Sequence, residues 1–327
     1  MSFGKQNGGG NDFRQLVKPV AQAKPSKGGG FDAGFIALTL GVVAISAGGA
    51  FAAPSVMSWA GSFSSAPVRP IPTVIAGLDR DAVKAALAKE AFPDKHGRAF
   101  MTSISGKFPE DHDRLLGKLA DTAMTGADRN GLILAMNEWS VDFSTGHLDA
   151  IGRTGAQGFD TALDLAREGL VQIEAAANGC DVKSLEAIAT NPEKLTAIAS
   201  YGGKAYQFNM KANQVLVDLA VAGGNAPEID ANLTPGDEQA LQSLMFSMMS
   251  DPQITSLMKM SMNGKVSEDE IASKVDICAL GRTIVVKLRD LPDGTKARLW
   301  ALGTTELRKA MASGNLAQFN PAQLSMR

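Results

Sequence analysis

From Leu78 onward the apolar side chains of this chain recur three and four residues apart, the spacing that lines one face of an α-helix. Asp79 and Asp81 open a run in which Val83, Ala86, Leu87 and Phe92 share a face, and Pro93 stops it. Pro109, followed by Glu110, Asp111 and Asp113, is a helix entry: proline suits the first helical position, and carboxylates complement the positive end of the helix dipole. Leu115, Leu116, Leu119, Ala120 and Ala123 supply the buried stripe, and Gly126 ends it. A second amphipathic run, Leu132 to Phe143, turns Met136, Trp139 and Val141 inward, and the two runs together predict a helical hairpin.

The same signals continue along the chain. Thr161 to Ala177 carries Leu163, Ala166, Leu170, Ile173 and Ala177 at helical spacing, and Asn178-Gly179 terminates it just before Cys180. Asn191-Pro192-Glu193 starts a short helix, and Tyr201 to Ala222 forms a long one containing Phe208, Val215, Leu216 and Leu219. Thr234-Pro235 and Asp251-Pro252 are capped entries, Ser267 with Glu270 is a capping box, and Pro292-Asp293-Gly294 is a turn between the last two long helices. No run alternates with the period of two that a half-buried strand requires. The predicted fold class is therefore all-α: a bundle of roughly eight to ten helices over residues 78–327, with an internal boundary at 225–233.

The N-terminal part reads differently. No charged residue occurs between Asp32 and Arg69, and residues 34–53 are almost wholly apolar. Twenty helical residues span roughly 30 Å, the thickness of the hydrocarbon core, so 34–53 is predicted to be a transmembrane helix acting as an uncleaved signal anchor. Residues 1–33 form a glycine-rich tail holding Lys5, Arg14, Lys18, Lys24 and Lys27 against Asp12 and Asp32, a net of +3. The positive-inside bias places this tail, expected to be disordered, in the cytoplasm and everything after Pro54 outside. Residues 54–77, with Pro54, Pro67, Pro70, Pro72 and several serines, read as an extended linker, and Trp59 is placed as an interfacial anchor. The rival is a cleavable signal peptide, because Ala50-Phe51-Ala52 has the small-x-small pattern of a cleavage site. The long, triglycine-bearing tail before the apolar stretch weighs against it.

Composition agrees with helices. Aromatic residues make up only 6% of the chain and 45% is hydrophobic, much of it alanine and aliphatic, which favours helices packed through small side chains over a sandwich of strands. From Asp79 to the end there are 26 basic and 32 acidic residues, a net of −6, which gives no electrostatic footprint for nucleic acid. Cys180 and Cys278 form an even pair, and in an exported chain one disulfide is the simplest reading. Closing a loop of about 100 residues contributes about 4.7 kcal/mol in the chain-entropy account.

Candidate chemistry is sparse. Six of the 14 methionines fall between Met245 and Met262. Met258, Met260 and Met262 stand at alternate positions and offer soft thioether donors for Cu(I), whereas Met245, Met248, Met249 and Met258 also suit the core of two short helices or an adaptable groove for a partner helix. None of the three histidines supports a metal site: His96 sits in a turn, His147 follows Gly146, and around His112 the acidic side chains fan about the helix axis. Ser256-Leu-Met-Lys259 matches a bare Ser-x-x-Lys tetrad without its companion motifs, and Gly152, Gly155 and Gly158 read as a loop and not as a phosphate cradle. Asp160 with Asp164, and Glu268 with Asp269, read as solvated helix faces. No catalytic residue and no cofactor is expected.

The function these features predict is a binding or scaffold subunit of a cell-envelope assembly, anchored in a bacterial inner membrane with its helical domain in the periplasm and a protein partner there. The alternatives are a copper or small-ligand binder using residues 245–262, a secreted helical protein released by signal cleavage, and an envelope-polymer hydrolase. An uncleaved anchor has a direct consequence: N-terminal sequencing of the mature protein returns residues of the 1–33 tail, whereas cleavage after Ala52 would yield a chain beginning at Ala53.

Overall fold

The computed structural model describes residues 79–177, 180–181, 184, 200–252, 254–255 and 276–312. These are all-helical, with nine helices and no strand among the described residues: α1 (Arg80–Glu90), α2 (Lys95–Lys107), α3 (Pro109–Met124), α4 (Arg129–Gly152), α5 (Gly155–Ala177), α6 (Lys204–Gly224), α7 (Pro235–Met249), α8 (Ile277–Arg289) and α9 (Asp293–Ala312). The predicted membrane segment 34–53, with the tail and linker on either side of it, lies outside the described residues, as do the expected entries at Asn191 and Ser267. Among the described residues no helix is long and apolar enough to cross a membrane.

Several helix starts follow from their caps. The side chain of Asp79 accepts the Ala82 amide at 2.8 Å, and Asp128 and Asp276 cap α4 and α8 in the same way. Thr234 and Asp237 form a reciprocal capping box at α7, with Pro235 in the first turn. Helix α2 was not anticipated: the segment around His96, expected to be a turn, is its first turn, capped by Asp94 through the amides of His96 and Gly97. Its apolar face of Phe100, Met101 and Ile104 is short and interrupted by serine, threonine and glycine, which weakens the periodic signal.

α4 lies at the centre. It packs against α3, α6 and α9, and twelve of its 24 residues are buried. A helix buried on several sides must be apolar or small around much of its circumference, and Ser140 and Ser144 meet that need by returning their hydroxyls to the carbonyls of Met136 and Ser140, at 2.8 and 2.6 Å. The remaining helices fill in around it: α1 on α3, α2 on α6, α5 on α9 and α8. Residues 225–233 are non-helical, and buried side chains on both sides of them, from Val83 to Trp300, belong to one core cluster.

The α4–α5 corner corrects the reading of its glycines as a loop. Gly152 is the last residue of α4, Gly155 turns the chain with φ +60°, and Gly158 sits inside α5 beneath the Trp300 indole. That indole donates to the Ile151 carbonyl at 2.7 Å, so α9 rests directly on the corner. The end of α6 is pinned there too: Arg153 donates to the carbonyls of Gly223 and Gly224 at 2.9 and 3.2 Å. Gly223 lies so near the Ala150 carbonyl that a Cβ would overlap it, whereas Gly224 faces open space.

Most expected core positions are buried, with two informative departures. Ile173 is 44% exposed, whereas Leu165 of the same helix is buried with Ala212 of α6. Of the methionines expected in the core, Met248 is buried, Met245 is half-buried and Met249 is 40% exposed. Gly→Ala inside a helix ordinarily stabilises, so the corner makes a distinctive prediction. Gly223→Ala should destabilise the domain by about 1–3 kcal/mol and lower its Tm, while Gly224→Ala leaves it unchanged or slightly higher, as read by thermal unfolding followed by circular dichroism.

Candidate functional site

Among the polar groups that interrupt the apolar packing of the described residues, four clusters join residues far apart in the chain. The first joins α7 to α9. Asp237, 1% exposed, accepts two bonds from the Arg298 guanidinium at 2.6 and 2.7 Å, one from Thr295 at 2.6 Å, and those of the Thr234 amide and hydroxyl, both at 2.7 Å. Arg298, aided by Thr295 and Thr234, outweighs the cost of burial and holds this carboxyl well below the usual carboxylate range. With every lone pair occupied, the cluster is a clamp between helices and has no free group with which to bind or react.

The second cluster gathers the chain's only two tyrosines on Asp94. The fully buried Tyr206 donates its hydroxyl to the Asp94 carboxylate, and Tyr201 lies tilted beside it, its ring 5.0 Å from that of Tyr206 and the Arg129 guanidinium 5.0 Å from its own centroid. Burial raises the Tyr206 pKa, and the bond to Asp94 raises it further. For Asp94 burial acts upward, but the bonds from Tyr206, Gly97 and His96 prevail and leave it lowered. Tyr206 is thus a neutral donor locked in place, not an activated phenol.

In the third, Asp111 is turned inward to 6% exposure, although the acidic first turn of α3 reads as a solvated complement to the dipole. It bonds His147 Nε2 at 3.1 Å and pairs with Arg114, while its backbone carbonyl accepts the Trp139 indole at 3.1 Å. Phe108 and Phe143 flank the His147 ring at 4.7 and 4.4 Å. This pair has the geometry of a base and its orienting carboxylate, and no described serine, threonine or cysteine bonds the other ring nitrogen. His112, by contrast, is partly buried, which lowers its pKa.

The fourth is the predicted cysteine pair. Cys180, just after α5, and Cys278, in the first turn of α8, are joined as a disulfide across 98 residues with their Cα atoms 5.5 Å apart. The Ile277 amide donates to the Cys180 carbonyl at 2.9 Å, and the Asp276 carboxylate, which caps α8 through the Ala279 amide at 2.8 Å, lies beside both sulfurs. Gly281 of α8 faces the Leu170 side chain on α5, so the bridge sits where these two helices meet.

The remaining sequence candidates do not converge. Asp160 pairs with the buried Lys296 at 3.1 Å and Asp164 with Arg289 at 2.6 Å, so the two are not a catalytic carboxylate pair. Met258, Met260 and Met262, the Ser256 tetrad, and Glu268 with Asp269 lie outside the described residues. Local spacing does not mark Asp237 and Asp111 as buried, nor Asp94 as the partner of Tyr206. A cap followed by an acid at the third helical position pointed to Asp237, but nothing local marked its partner on α9. No family model, curated protein or solved structure matches this chain.

The Asp237 clamp has a defined pH signature. Its folded pKa lies below that of the unfolded chain, so its stabilisation is complete above about pH 4 and is lost as pH falls through that value towards the folded pKa. Asp237→Asn should flatten the acid limb of a stability-versus-pH curve between about pH 4 and 2. At neutral pH, Asp237→Ala should cost about 3 kcal/mol by denaturant unfolding, because it strands the Arg298 guanidinium.

Proposed function

We propose that this chain is a membrane-anchored binding or scaffold subunit of a bacterial cell-envelope assembly, with residues 34–53 as the anchor and the helical domain in the periplasm. The observation that carries the reading is the charge-free run between Asp32 and Arg69, bounded on its N-terminal side by a tail of net charge +3. A Cys180–Cys278 disulfide on the far side fits an oxidising compartment. The proline-bearing stretch 54–77 supplies reach between bilayer and domain.

A protein partner is favoured by the apolar side chains that the domain leaves in water. Val171 and Ile173 on α5 and Val286 on α8 are 49%, 44% and 56% exposed, and these two helices pack against each other. Exposed aliphatic groups on adjoining helices are the raw material of an interface. Around them Arg282 pairs with Glu174 at 2.5 Å and Arg289 with Asp164 at 2.6 Å, giving the polar surround that interfaces carry.

The test uses the full chain in a Gram-negative host. The protein should fractionate with inner membranes, resist extraction by high salt, and become protease-sensitive once the outer membrane is permeabilised. A defined partner should then co-purify reproducibly from mild detergent and be lost on Val171→Glu with Val286→Glu. A salt-soluble, protease-protected chain with two free thiols would overturn the reading.

A further inference from the structure

Two sulfurs and a carboxylate converge where α8 begins. The ligand atoms of Cys180, Cys278 and Asp276 all lie within 4.8 Å of one another, with Cys180 5% and Cys278 0% exposed and Asp276 half-buried. Asp276 spends one carboxylate oxygen on the Ala279 amide and keeps the other. In the oxidised protein the sulfurs satisfy each other. Once the bond is reduced, two thiolates and a carboxylate would concentrate three negative charges in a largely buried space, and such a group must either take up protons or share a cation.

The geometry points to a zinc site in the reduced protein, with Cys180, Cys278 and Asp276 as ligands. Zinc binds thiolate sulfur at about 2.3 Å and carboxylate oxygen at about 2.0–2.2 Å in tetrahedral sites, so the sulfurs must separate to roughly 3.8 Å. With their Cα atoms 5.5 Å apart, side-chain rotation alone opens that separation. Cys278 lies in the first turn of α8, where the positive end of the helix dipole favours a thiolate. Two sulfurs and one oxygen suit zinc better than calcium or magnesium, which prefer oxygen alone, and leave the fourth position for water.

The redox step balances simply. A dithiol reductant gives up two electrons and two protons and is itself oxidised to a disulfide, while Cys180 and Cys278 become thiols. Zinc binding then releases both thiol protons to solvent. The competing outcome is also visible: the Leu170 carbonyl lies 3.6 Å from Cys278 Sγ and would accept a bond from a neutral thiol.

The experiment titrates zinc alone into the full chain, oxidised and anaerobically reduced, against a chromophoric chelator. The reduced protein should bind one equivalent with micromolar or tighter affinity and release two protons; the oxidised protein should bind none. Asp276→Asn should weaken binding about tenfold or more, and Cys278→Ser should abolish it. Cobalt in place of zinc should give thiolate charge-transfer absorption, and zinc should raise the Tm of the reduced protein, which separates a folded site from thiols of an unfolded chain. Absence of one-to-one binding, an affinity unchanged by Asp276→Asn, or no rise in Tm would each overturn the assignment.

Discussion

Burial of α4 is the constraint on which the rest of the domain depends. A 24-residue helix packed against α3, α6 and α9 cannot keep one broad polar face, and twelve of its residues are buried, Ser140, Ser144 and Gly152 among them. The Gly152–Gly158 corner follows from this. α9 reaches α4 only because Trp300 can settle on the backbone there, and α6 ends against it only because Gly223 carries no side chain. Shape at one corner thus fixes three helices.

Three of the carboxylates that meet this interior are each held by a partner on another segment. Asp237 with Arg298, Asp94 with Tyr206 and Asp111 with His147 each join distant segments: α7 to α9, the start of α2 to α6, and α3 to α4. Such pairs add modestly to stability in net terms, because desolvation offsets much of the attraction, but leaving one partner alone is expensive. They therefore act against alternative helix packings more than they add strength. Their saturation is also why they read as structure and not as chemistry.

The disulfide is the exception among the four clusters. It lies at the junction of α5 and α8, next to the Asp276 carboxylate. A covalent closure over 98 residues is a strong restraint on the unfolded chain, and here it ties the start of α8 to the segment just after α5.

The sequence by itself determined the all-helical class, the starts of α1, α3 and α7 and the cysteine pair, because caps, prolines and the 3.6-residue repeat act within a few neighbours. Asp79 and the capped entry at Thr234-Pro235 needed no distant partner to be read. Helix α2 escaped because its apolar face is short and broken by small polar residues. Only the tertiary structure decided that Asp111 turns inward to His147, that Ile173 stays out while Leu165 goes in, and that three glycines form a packed corner instead of a loop. Each of these depends on which surface happens to lie opposite, and contacts across 36 residues, as between Asp111 and His147, or across 61, as between Asp237 and Arg298, leave no mark on local spacing.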